Sequence, residues 1–285
     1  MNCTKAIIPL AGYGTRRLPI TKVVEKSLLP VLNRPIIDYI VADCIKAGIT
    51  DIYFVVCKGS TQVRDYYGTN VQLESYLATH NKTALLAAIA PPEHVSFHFV
   101  EQDTAGDSRY GTAVPVWLCR QYIEPDEHVL VVSGDDFIYN DDDSSEVARL
   151  IDCARSAQGD SVILAAEVPR DTVSNYGVIV QRHENGQDYF AAIQEQPSIE
   201  EAQSNLINIS KYLFTASFFD YLDKTMQVEQ AHEYRITDTI NDFVADGNNL
   251  QVLPAHGVYL DGGTVEGWLA ANNYVAEHPV RTVPK

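Results

Sequence analysis

The sequence is short of positive charge. Its 285 residues carry 21 Lys and Arg against 38 Asp and Glu, a net charge of −17. A protein that grips nucleic acid presents a basic face, so this balance argues against a polynucleotide partner. It does not argue against a small phosphate ligand, for which a few local cations suffice, and an acidic surface favours solubility. Cysteine is sparse and scattered: Cys3, Cys44, Cys57, Cys119 and Cys153 contain no Cys-x-x-Cys pair. That pattern reads as reduced thiols and excludes a disulfide frame or a zinc site. No apolar run approaches the ~18 residues of a membrane span. No basic segment followed by an apolar run opens the chain, so no signal peptide is expected. A cytoplasmic protein that meets no membrane is the expectation. No internal repeat or long linker is visible, and the histidines offer no metal pattern, since His94 and His98 border a strand. A Walker loop is excluded because no Gly-Lys pair occurs, and a dinucleotide fingerprint because Arg17 stands where its third glycine belongs.

What is present begins with an apolar run, Ala6-Ile7-Ile8-Pro9-Leu10, that empties into Ala11-Gly12-Tyr13-Gly14-Thr15-Arg16-Arg17. Glycine permits a sharp bend and a close approach to a ligand, and cations beside exposed backbone N–H groups make an anion site. Farther on comes Lys26-Ser27-Leu28-Leu29-Pro30. Asn33 and Pro35 are placed to start a helix, and Ile36, Ile37, Ile40, Val41, Cys44 and Ile45 then recur at helical spacing until Gly48. Ile52 to Val56 reads as a buried strand. Strand, helix and strand at this spacing form a βαβ unit and imply a parallel sheet.

Residues 68–94 interrupt the alternation and read as an insertion with helical segments at 73–77 and 84–89. Val95 to Val100 reads as a strand. A polar loop at 103–109 and Tyr110-Gly111-Thr112 lead to a helix ending near Tyr122. The apolar run His128 to Val132 ends in Ser133-Gly134-Asp135-Asp136. A helix at 145–157, a strand at 162–166, and short strands with an Asn185-Gly186 hairpin turn follow. Helices at 217–225 and 236–245, strands at 250–253 and 257–260, Asp261-Gly262-Gly263 and a last helix to about Glu277 complete the chain. The fold class is α/β, Rossmann-like, with a mainly parallel sheet between helices and a smaller β region in the second half.

A bare Gly-x-Gly after a strand is equally well a structural turn. Read alone, Arg16 is a surface cation and Lys26 an exposed residue before a core strand. Asp135 alone would be a cap, and Asp261 a turn residue before two glycines. Both aspartates nevertheless fall at strand ends, where open α/β sheets bind ligands. Two carboxylates with phosphate oxygens and waters suit magnesium.

Taken together, the motifs resemble one family. Gly12-Tyr13-Gly14-Thr15-Arg16, Leu18-Pro19, Thr21-Lys22 and Lys26-Ser27-Leu28-Leu29-Pro30 look like the signature of sugar-1-phosphate nucleotidylyltransferases. The bacterial UTP–glucose-1-phosphate uridylyltransferases are the nearest in look. Gly134-Asp135-Asp136, Tyr176-Gly177-Val178, Glu195-Gln196-Pro197, Ser204-Asn205-Leu206, Glu233 to Asp238 and Asp261-Gly262-Gly263 match in the same order. The resemblance covers nearly the whole chain. It implies one nucleotidyltransferase domain over 1–285, with a nucleotide-binding half (1–140) and a sugar-binding half with C-terminal helices (141–285).

The reaction it implies joins UTP to glucose 1-phosphate, releasing pyrophosphate and UDP-glucose. By position, Arg16 is the candidate for the β- and γ-phosphates and Lys26 for the α-phosphate. Ala11, Gly12, Gly14, Thr15, Ser27, Gln102 and Gly111 fall at nucleotide-contacting positions. Gly177, Glu195 and Gln196 fall on the sugar-phosphate side, and Asp135 and Asp261 at magnesium positions, with Asp136 behind them. The family also implies a homo-oligomer, a dimer or a tetramer.

Four positions depart from the family pattern. Gln196 stands where the family carries Lys against the sugar phosphate, leaving Lys211 or Arg235 as candidate substitutes. Ser27 stands where Glu or Gln helps to read the base. Asp38 and Ser210 stand at common Gln and Gly positions. Three readings stay open: the uridylyltransferase, the same reaction on another base or sugar such as dTTP, and a non-catalytic relative that binds nucleotide sugars.

Overall fold

The computed structural model describes residues 2–107, 109–157, 160–229 and 232–280. Ser108, inside the expected polar loop, lies outside these residues. Strand β1 (Asn2–Pro9) is flanked on both sides by parallel neighbours, so Ala6, Ile7 and Ile8 are all 0% exposed. A small hairpin of β2 (Pro30–Val31) and β3 (Arg34–Pro35) precedes α1 (Ile36–Lys46). The expected Asn33 cap does not form. Asn33 sits in the hairpin turn, and Pro35 is the residue at the helix's N-terminal boundary. At the other end Gly48 adopts φ +87°, the left-handed close that glycine favours.

The chain then runs through β4 (Asp51–Cys57), α2 (Gln62–Tyr67), α3 (Val71–Thr79) and a 3-10 segment at Thr83–Ala88 to β5 (Ser96–Gln102). Helix α4 (Ala113–Leu118) is shorter than expected, because a separate 3-10 turn at Arg120–Tyr122 completes that stretch. After β6 (Glu127–Val132) comes β7 (Asp136–Tyr139), a strand not foreseen from the sequence. Next are α5 (Glu146–Ser156), β8 (Ser161–Glu167), β9 (Gly177–Glu184), β10 (Gln187–Glu195) and β11 (Leu206–Thr215). The chain closes with α6 (Phe218–Gln227), α7 (Ile236–Ala245), β12 (Leu250–Pro254), β13 (Val258–Asp261) and α8 (Val265–Glu277).

Nine strands form one sheet in the order β5-β4-β1-β6-β11-β8-β12-β10-β9. The first four are mutually parallel; β11 and β10 alone run against the rest. Side chains alternate between two cores, one per face. Ile8, Val162 and Leu164 meet α1, α5 and α8 on one face; Ile7, Ile163 and Ala165 meet α4, α6 and α7 on the other. The fold is therefore mixed α/β, with helices on both faces of a largely parallel sheet. Asn185 and Gly186, both at positive φ, turn β9 into β10 as expected.

This topology brings several loops to one edge. The adjacent parallel strands β1 and β6 both end there, delivering residues 10–14 and 133–136. A separate two-stranded ladder, β7 with β13, sets Asp136 directly opposite Asp261.

Candidate active site

A cleft of about 600 Å³ opens at this edge. Ala11, Gly12, Arg16, Lys26, Gln102, Gly111, Asp135 and Asp261 all line it. Residues scattered over the whole sequence are thus gathered by the strand ends.

The glycine loop is shaped by its own bonds. Gly14 sits at φ +62°, its carbonyl accepting from Arg17 N–H (2.8 Å) and Thr21 Oγ1 (2.9 Å). A side chain there would meet Thr21 and Lys26 at 3.1 and 3.3 Å, so the tight turn requires glycine. Lys26 crosses the loop to Asp135, with Nζ 2.6 Å from Oδ2. Burial pushes the Asp135 carboxyl up, but the charge and hydrogen bond of Lys26, helped by Lys211 and Arg16, hold it below the ordinary range. Asp135 is therefore an anion at neutral pH.

Asp261 and Arg16 converge on the same point. A Cβ at Gly263 would lie 3.0 Å from Asp261 Oδ1, 3.1 Å from Arg16 Nη2 and 3.5 Å from Asp135 Oδ2. Gly263 N–H fixes Asp261 by donating to Oδ1 (2.7 Å), and Gly262 N–H donates to the Asp135 carbonyl (2.9 Å). The two acids expected at a metal are thus neighbours. Their hard oxygens fit a divalent cation that draws its remaining ligands from phosphate and water. Among the described residues no group of three or more His, Cys, Asp or Glu forms a protein-only metal cage.

On the floor of the cleft Asp136 forms a buried pair with Lys211, which does not line it; the two are bonded Nζ to Oδ1 and are 9% and 6% exposed. Ser133 Oγ donates to the same oxygen (2.5 Å), and Tyr259 OH reaches Oδ2 (3.4 Å). Burial pushes the Asp136 carboxyl up, against the pull of Lys211. Lys211 is consequently committed to Asp136 and is not free to replace the missing sugar-side lysine. Arg235 faces Glu233 at 3.7 Å and does not line the cleft.

The other expected residues divide. Gln102, 7% exposed, ends β5 and lines the cleft. Gly111 (φ +125°) fits only as glycine, since a Cβ would come 2.4 Å from the Tyr234 carbonyl. Gly177 and Glu195 are opposite one another across β9 and β10, and Gln196 N–H donates to the Tyr176 carbonyl (3.1 Å). These three flank the cleft without lining it, as do Gly14 and exposed Thr15. Ser27 is 1% exposed, its hydroxyl buried without a partner, and it does not line the cleft either.

The sequence did not reveal the roles of Tyr259, Tyr176, Ser210 and Arg17. Tyr259, two residues before Asp261, enters the lining with Tyr176. Ser210 adopts φ +51° in a bulge of β11, where its carbonyl accepts from Ser133 N–H (2.9 Å) and braces the Asp135 turn. A glycine would take that conformation without strain. Arg17 is 4% exposed and bonds the carbonyls of Gly262 (3.1 Å) and Thr264 (2.5 Å) beneath the ring of Trp268. It ties the glycine loop to the Asp261 turn. Nothing in its sequence neighbourhood separated this role from that of Arg16.

Known proteins resemble this chain over nearly its whole length. A family model described as nucleotidyl transferase matches residues 5–278. The UTP–glucose-1-phosphate uridylyltransferase of Haemophilus ducreyi is 34% identical, over 94% of this chain and 91% of its own. A UDP-glucose pyrophosphorylase structure from Acinetobacter baumannii superposes with a TM-score of 0.86 at 29% identity, covering 98% of this chain and 95% of the other. Another, complexed with UDP-glucose, superposes at 0.79 with 28% identity and 97% and 99% coverage. The chain belongs to the nucleotidyl transferase family.

Proposed function

We propose that the protein transfers the uridylyl group of UTP to glucose 1-phosphate, giving UDP-glucose and pyrophosphate. The observation that carries this reading is the meeting of Arg16 and Lys26 with Asp135 and Asp261 in one cleft. The sugar phosphate is already an anionic nucleophile, so no triad is needed. The task is to bring two polyanions together and offset the charge of an in-line displacement. Arg16 forks onto the β- and γ-phosphates. Lys26 leaves Asp135 for the α-phosphate, where its charge counters the build-up during attack. Asp135 and Asp261 would hold magnesium, which supplies positive charge to the reacting phosphate. Gln102 and the Gly111 backbone offer hydrogen bonds to the base edge, and Glu195 with Gly177 faces the sugar.

The burial of Ser27 favours one second reading. With that residue outside the cleft, base choice rests on Gln102 and Gly111, and dTTP becomes the competing donor. We read the chain as one domain with halves at 1–140 and 141–285, supported by the single sheet that both halves share. No helix among the described residues is long and apolar enough to cross a membrane. We further propose a cytoplasmic homo-oligomer, a dimer or tetramer.

A pyrophosphate-release assay with magnesium, crossing UTP, dTTP, CTP, ATP and GTP with several sugar 1-phosphates, tests the reading. Release with UTP and glucose 1-phosphate above all other pairs is expected. A preference for dTTP would replace the first reading by the second, and no release with any pair would refute both.

A further inference from the structure

Three carboxylates crowd the floor of the cleft: Asp135 and Asp136 in sequence, and Asp261 opposite Asp136 in the β7–β13 ladder. Each has a cation. Lys26 lies on Asp135, and Arg16 stands beside Asp261 and Asp135. Both of these cations line the cleft, within reach of a phosphate. The third differs. Lys211 is 6% exposed, lies below the lining, and is held by the Asp136 carboxylate, the Asp136 carbonyl (3.3 Å), Ser133 Oγ (3.4 Å) and the Ile209 carbonyl (3.4 Å). Its ammonium has no free donor to offer a substrate.

We infer that Lys211 is a positioning residue: a fixed counter-ion that keeps Asp136 out of the metal's ligand set and clamps the Ser133–Asp136 turn so that Asp135 alone is presented. The cleft then holds two kinds of counter-ion. Lys26 and Arg16 are exchangeable and pass to the substrate phosphates. Lys211 is permanent, because moving it would leave a buried carboxylate unpaired. Ser133 and the Ser210 bulge complete the clamp, joining β6 to β11 through Ser133 N–H and the Ser210 carbonyl (2.9 Å). Removing Lys211 frees a third carboxylate at the metal position while loosening the aim of Asp135. Metal binding should tighten as turnover slows, whereas general structural damage weakens both.

The inference rests on the reading of the cleft as a metal-dependent transfer site, and its test separates the two. Mn2+ binding to the full-length free protein is measured by calorimetry at pH 8, beside kcat and KM for UTP. Lys211→Met should bind Mn2+ about tenfold more tightly, with kcat at least about tenfold lower and KM within about twofold. Lys211→Arg should restore kcat, and the double variant Lys211→Met/Asp136→Asn should return Mn2+ affinity to the wild-type value. Wild-type Mn2+ affinity and kcat in Lys211→Met would overturn the inference, as would a parallel weakening of both. If Lys211→Met does not fold, the double variant decides. Folding with wild-type Mn2+ affinity supports the clamp; failure to fold, or weaker binding, overturns it. A wild-type protein that releases no pyrophosphate and binds no Mn2+ would instead bring down the reading beneath it.

Discussion

Replacing Gly111 by Ala puts one methyl group where two chain segments that line the cleft, at 110–112 and 233–236, meet. Gly111 has φ +125°, a conformation that costs a residue with a side chain about 1–3 kcal/mol. The added Cβ would stand 2.4 Å from the Tyr234 carbonyl and 2.7 Å from the Tyr234 nitrogen, both backbone atoms that cannot rotate away. That approach forces apart two hydrogen bonds, Tyr234 N–H to the Tyr110 carbonyl (2.8 Å) and Ala113 N–H to the Tyr234 carbonyl (2.9 Å). Each contributes about 1 kcal/mol. The sum is a loss of about 3–5 kcal/mol, a large share of an ordinary domain's stability. Urea unfolding measures it, and UTP titration of the surviving folded protein should show weaker binding, because Gly111 lines the cleft. A loss below about 1 kcal/mol with unchanged UTP affinity would mean that position 111 does not require glycine.

Four further outcomes follow from the same contacts. Asp135→Asn should lower turnover at least about 100-fold with the thermal midpoint nearly unchanged, since shape is kept and charge removed; turnover near wild type would contradict its role. Gln196→Lys should lower KM for glucose 1-phosphate about tenfold, one charge-assisted bond, because Lys211 is committed to Asp136 and Arg235 does not line the cleft; an unchanged KM would point to another cation. Arg17→Met should cost about 2–4 kcal/mol in urea unfolding by orphaning the Gly262 and Thr264 carbonyls. Burial pushes the Asp51 carboxyl up, but hydrogen bonds from His98 (2.8 Å) and Thr50 outweigh it and hold the group below its ordinary range. Its stabilisation is therefore present above about pH 4 and lost as pH falls through the lower folded value. The stability gap between wild type and Asp51→Asn, about 0.5 kcal/mol at pH 7, should close below pH 4.

The sequence revealed what is local and repeated. The run into Gly12 and Gly14, the helical spacing from Ile36 to Cys44 and the Asn185-Gly186 turn each carry their cause within a few residues. Asp135 and Asp261 were legible as strand-end acids, and the sheet order then brought them together. Contacts fixed by distant partners were not legible. Arg17 meets its carbonyl acceptors 245 and 247 positions away, and Lys211 finds Asp136 across 75. Both looked like free cations, and only burial shows them to be braces. Strand β7 was hidden for a related reason: four residues are too few to show a period, and Asp136–Tyr139 is a strand only because β13 pairs with it. Ser27 follows Lys26 in sequence, yet the 3-10 turn at Lys26–Leu28 sends the lysine into the cleft and the serine into the interior.

Transfer of a uridylyl group in this cleft leaves a trace that can be followed atom by atom. The measurement follows the label of UTP carrying radioactive phosphorus at the α-position, with magnesium and glucose 1-phosphate. The label should pass into UDP-glucose, with one pyrophosphate released for each molecule formed. Label remaining in UTP, or appearing as free UMP with no sugar nucleotide, would contradict that transfer.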